Sequence, residues 1–92
     1  MGYYVWNPDK NLRLKATRGI SFEEIVLSID NGGLIGVYEH PNRLKYPHQN
    51  ILVVKVRDYA YLVPFVDSHE ARFLKTIIPS RKATRDFIGG YP

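Results

Sequence analysis

With 92 residues the chain has room for one domain, residues 1–92, and its 45% hydrophobic content with seven tyrosines is too apolar for a disordered tail. It has no cysteine and no uninterrupted apolar run near the ~18 residues of a membrane span, which excludes a disulfide scaffold and a membrane-spanning helix. The net charge of +4 favours an acidic partner, with nucleic acid the first choice for a small basic domain.

The charge is uneven along the chain. Residues 1–18 hold four cations against one anion, 19–67 hold four against six, and 68–92 hold five against two. If the two ends of the chain meet in space, they build one basic surface; if they do not, the pattern is scattered solvation. The first residues, Met1 to Asn7, lack the basic start and apolar run of a secretory signal, so a cytoplasmic location is expected.

Asn7-Pro8-Asp9 reads as a helix start: Asn caps free amides, Pro suits the first helical position, and Asp complements the positive end of the dipole. The helix is predicted to run to Arg18 and stop at Gly19, with Lys10, Arg13 and Thr17 sharing one side. Ser21 and Glu24 form a capping box for a second helix, and Ile20 and Ile25 have the spacing of a hydrophobic staple. Phe22, Ile25, Val26 and Ile29 make a buried stripe, and Asn31-Gly32-Gly33 ends the helix. Four strands are then predicted, over 34–39, 51–57, 59–66 and 72–78, the last three as an antiparallel meander. Pro64 lacks an amide hydrogen and so marks an edge position or a bulge. The loop 40–50 is long for a hairpin and rich in polar groups. A short basic helix capped by Ser80 is predicted over 80–87, ending before Gly89-Gly90. The expected fold is α+β: two N-terminal helices on a four-stranded, mainly antiparallel sheet, then a short C-terminal helix.

Two segments carry a family resemblance. Val5-Trp6-Asn7 with Lys10-Asn11, followed by Gly19-Ile20-Ser21-Phe22-Glu23-Glu24, and the C-terminal Ile78-Pro79-Ser80-Arg81-Lys82-Ala83-Thr84-Arg85, resemble the BrnT family of toxins in matching order. The chain departs from that family's pattern where Asn7 replaces Asp, where Arg18 replaces the His before Gly, and where Pro79-Ser80 replaces Ser-Ala. The resemblance implies a RelE-like fold and the toxin of a bacterial type II toxin–antitoxin system, an endoribonuclease that inhibits translation. It also implies a cognate antitoxin with a ribbon-helix-helix DNA-binding domain, with operator DNA bound only through the complex.

RNA cleavage without a metal needs a base for the 2′-OH, cations for the phosphorane and an acid for the leaving oxygen. The candidates for catalysis are His48, Lys75, Arg81 and Lys82. Arg81 and Arg85 are four apart on the C-terminal helix with Lys82 beside them, so three cations can converge on a phosphate. Lys75, read as sharing one side of its strand with Phe73 and Ile77, either snorkels at the sheet edge or faces a ligand groove. For substrate binding the candidates are Arg85, Lys45, Tyr46, His40, Lys10 and Arg13, with Tyr46 placed to stack on an unpaired base. No histidine pair has the spacing of a helical metal site, so no metal and no cofactor are expected. Two other functions compete: a non-catalytic basic module that binds RNA or an acidic protein, and a DNA-binding regulator. The regulator is the weaker, because the second helix is striped for burial rather than for reading bases.

Overall fold

The computed structural model describes residues 3–89. In chain order these form β1 (Tyr4–Trp6), α1 (Pro8–Arg18), α2 (Phe22–Asp30), β2 (Leu34–Glu39), β3 (Asn50–Val56), β4 (Tyr59–Ser68), β5 (Ala71–Leu74), β6 (Ile78–Pro79) and α3 (Arg81–Ala83). The last helix runs straight into a π-type turn over Thr84–Ile88. The class is α+β, and the sheet order is β1-β5-β4-β3-β2, with β6 also paired to β4. Every pairing is antiparallel except that of β1 with β5. Gly89 follows the last turn with φ 72°, as its place in the predicted stop requires, while Gly90 lies outside the described residues.

The helix ends form as their sequence dictates. The Asn7 side chain accepts from the backbone amides of Asp9 and Lys10, and α1 ends at Gly19 in the left-handed region, φ 66°. Ser21 accepts from the Glu24 amide while Glu24 reaches back to the Ser21 amide, and Ile20 and Ile25 are both buried. A further lock joins the two helices. Asn11 is buried, its Oδ1 accepting from the Phe22 amide at 2.8 Å and its Nδ2 donating to Glu23 Oε1 at 2.7 Å. It thus satisfies an amide at the start of α2 that has no partner within its own helix. Arg57 in the β3–β4 turn pairs with Glu24, tying the same helix start to the sheet.

The helices cover one face of the sheet. Leu14, Ile20, Phe22 and Ile25 pack with Leu52, Val54, Val63, Phe65, Leu74 and Ile77 in one cluster, joined by Trp6, whose ring stacks on Phe22 at 5.5 Å. The C-terminal segment packs on the other face, where Ala83 joins Val53 and Ala60, with Ile35, Leu62 and Ile88 against them. β3 is therefore buried on both sides, and four of its seven residues are consecutive apolar ones.

Three expectations about the sheet need correction. It has six strands rather than four, because Tyr4–Trp6 pairs with β5 and the predicted last strand is split into β5 and β6. Pro64 lies at neither an edge nor a bulge: it sits mid-way along β4, between β3 and β5. Its carbonyl accepts from the Lys75 amide at 2.8 Å, so its missing N–H faces the gap between β5 and β6, where no ladder bond is needed. That gap also ends the alternation. Ile77 is buried in the helix-side cluster, whereas Lys75 reaches over the Phe73 ring at 5.4 Å, so the two do not share a side.

Acid will weaken this helix junction. The Asn11 amide, Glu23's own backbone N–H and nearby Lys15 hold the Glu23 carboxyl below its ordinary range. A depressed carboxyl contributes stability that is complete above its unfolded pKa and lost as pH falls through its folded one. Glu23 is more than half exposed, so the contribution is small. The melting temperature is expected to be flat from about pH 7 to 5 and to fall below about pH 4. Glu23→Gln should flatten part of that fall in thermal melts, and an identical acid limb in the variant would remove this role.

Candidate nucleic-acid interface

The C-terminal segment is fixed by two polar side chains. Ser80 accepts from the Ala83 amide at 3.0 Å, capping α3, and its own amide donates to Ala60 O at 3.0 Å. Thr84 is buried; its hydroxyl accepts from the Ala60 amide and donates to Ser80 O, both at 2.8 Å. The chain leaving β6 is thereby held to β4 and laid across the sheet face that the N-terminal helices do not cover. Within the motif, Ser80, Ala83 and Thr84 serve the fold. Arg81, Lys82 and Arg85 are exposed, and none of them enters the core.

Electrostatics separates these three cations. Lys82 Nζ lies 3.3 Å from Asp86 Oδ2 and Arg85 Nε lies 3.4 Å from Asp86 Oδ1, so one carboxylate serves two cations. Hydrogen bonding by Lys82, then the charges of Lys82 and Arg85, hold the Asp86 carboxyl below its ordinary range. Arg81 has no carboxylate partner among the described residues and is free to meet a phosphate.

The long loop is folded on itself rather than open. The His40 amide donates to Gln49 O, carrying the β2–β3 pairing one step further and placing His40 on the side of Tyr38. Its Nδ1 accepts from the Asn42 amide at 3.0 Å, and its ring lies 4.4 Å from that of Tyr46. Lys45 stands over Tyr46 at 5.4 Å, and Arg43 donates to Gln49 O. His48 is exposed, with no hydrogen-bond or ion-pair partner among the described residues. Of the two loop histidines, His40 is the oriented one.

The predicted residues outside the loop fall into two groups. Arg81, Lys82, Arg85 and Lys75 belong to the sheet face away from the helices, and a ring contact of 6.0 Å between Tyr38 and Phe87 links the C-terminal turn to the strand that leads into His40. Lys10 and Arg13 stand on α1, in the layer packed on the opposite face, and the sheet separates them from the C-terminal cations. The two basic chain ends therefore do not merge. The ends do touch, along the β1–β5 pairing and where Arg18 Nη1 donates to Ile77 O at 2.6 Å, but the α1 cations Lys10 and Arg13 stay on the helix side.

Three residues of this face are absent from the sequence-based set. Asp86 was readable, four after Lys82 and next to Arg85. Phe87 and Tyr38 were not, because nothing local marks an aromatic that stays 48% or 46% exposed. Among the described residues no three His, Cys, Asp or Glu side chains gather as a metal-binding group, and no helix is long and apolar enough to cross a membrane. Comparison with family models, curated proteins and solved structures finds no match to this chain.

Proposed function

We propose that the chain is the toxin of a bacterial type II toxin–antitoxin pair: a cytoplasmic, metal-independent endoribonuclease with a RelE-like fold, silenced by a cognate antitoxin that carries a ribbon-helix-helix domain. One observation carries the reading. In the C-terminal motif that resembles the BrnT pattern, the buried residues Ala83 and Thr84 have folding roles, whereas the three cations are exposed and Arg81 has no carboxylate partner among the described residues. Exposed cations held in fixed order on an anchored segment suit a polyanion. Two N-terminal helices on one face of a mostly antiparallel sheet agree with the architecture that the resemblance implies.

In this reading Arg81 neutralises charge developing on the scissile phosphate, with Lys75 as a second cation, and Lys82 and Arg85 bind flanking phosphates. His48 is the acid or base, and His40, Lys45 and Tyr46 hold the strand at the loop. A non-catalytic RNA-binding or acidic-protein-binding module is the second reading, favoured by the shared Asp86 and by the absence, among the described residues, of any group orienting His48.

Induction in bacteria decides between them. Growth arrest with fragmented RNA, relieved by co-expression of the short open reading frame beside this gene, is the expected result. Abundant expression with normal growth and intact RNA, while the purified protein still binds RNA, would leave the binding module.

A further inference from the structure

A small hollow of about 250 Å³ lies against the C-terminal segment, lined by Leu62, Ser80, Lys82, Ala83, Asp86 and Phe87. Drug-sized ligands occupy clefts of roughly 300–1,000 Å³, so this one suits a single flat ring system. Phe87 is half exposed although Ala83 and Thr84 already anchor the segment, so folding does not account for its position. Its ring meets that of Tyr38, itself 46% exposed, which makes the aromatic surface continuous rather than an isolated side chain. The neighbouring residues Arg81, Lys82 and Arg85 are cationic.

A flat apolar wall with cations beside it calls for a ligand that is planar on its faces and anionic next to them. An unpaired base with its flanking phosphates has both properties; a paired base cannot present its face. An acidic peptide has the charge and offers a ring only where an aromatic residue falls beside its carboxylates, whereas every nucleotide carries both. We propose that this hollow receives one unpaired nucleobase of single-stranded RNA, stacked on Phe87 and bordered by Tyr38, with Lys82 and Arg81 on the adjacent phosphates. The proposal rests on the chain being an RNA-binding protein and adds where the strand is gripped. Asp86, which also lines the hollow, offers an acceptor to the base edge, while stacking itself tolerates any base.

The test uses the full chain and a short single-stranded 2′-O-methyl oligonucleotide, which resists cleavage, with 2-aminopurine at its centre. Stacking on Phe87 should quench the 2-aminopurine fluorescence. Phe87→Leu, which keeps an apolar group but removes the ring, should weaken binding about 5- to 100-fold and abolish the quench, with an unchanged thermal melt. Tyr38→Leu should act in the same direction with a smaller effect. Parental affinity and quench in Phe87→Leu would overturn the site, as would a duplex of equal length binding as tightly as the single strand. Tight oligonucleotide binding without quench in the parent would remove the stacking and leave the RNA reading standing. Displacement of the oligonucleotide by polyglutamate, with no quench at any stage, would assign the surface to an acidic protein. No RNA binding in any form would overturn the RNA reading and this site together.

Discussion

Phe22→Ala will lower the melting temperature by at least about 12 °C. Phe22 is completely buried and stacks on Trp6. Truncating such a ring costs about 3–5 kcal/mol, and each kcal/mol is about 4–8 °C for a domain of this size. The whole stability of a chain this short is roughly 5–14 kcal/mol, so the loss is a large share of it. Leu27→Ala on the outer side of the same helix is the control. Leu27 is 62% exposed, and its truncation should change stability by less than about 0.5 kcal/mol. Urea titrations of both variants measure the difference; equal midpoints would mean that α2 is not held by this stripe.

The same residues show how far the sequence alone could be read. Asn7, Gly19, Ser21 and Glu24 act through neighbours within four residues, so both helices and their ends were legible from local chemistry. Asn11 was not: its partners, Phe22 and Glu23, are eleven and twelve residues away, and an Asn on a helix carries no sign of what it caps. β1 is three residues long, too short for a period, and forms only because β5 offers it an edge. The break between β5 and β6 is set by Pro64, a residue of another strand, so nothing in residues 72–78 announces it.

The candidate site was legible in part for the same reason. Spacing placed Arg81, Lys82 and Arg85 together as one helix; in the fold only Arg81 and Lys82 are α-helical, Arg85 stands in the π-type turn that follows, and all three are exposed. Lys10 and Arg13 entered the set through charge alone, and charge says nothing about which side of a sheet a helix covers. The exposed aromatics had no local signal, since a strand Tyr and a helix-end Phe are ordinarily core residues.

Cleavage kinetics supply the second large effect. Arg81→Ala should reduce the rate constant for RNA cleavage by about 10²–10³, as removal of one preorganised donor to a developing oxyanion does. Lys82→Ala and Arg85→Ala should cost less, because each already shares Asp86 and meets phosphate with part of its charge offset. Asp86→Asn should then strengthen RNA binding and steepen its salt dependence by about one to two units, one for each cation released. His48→Gln should leave affinity nearly intact while cutting cleavage at least about a hundredfold, the loss expected for a general acid or base. Among the described residues no group orients His48, so in the proposed reading its alignment comes with bound RNA, as catalytic contacts often tighten only in the complex. Single-turnover rates at saturating RNA separate the roles. A parental rate in His48→Gln beside an inactive Arg81→Ala would place the chemistry on cations and strand positioning. Parental rates in both would move the active site away from this face.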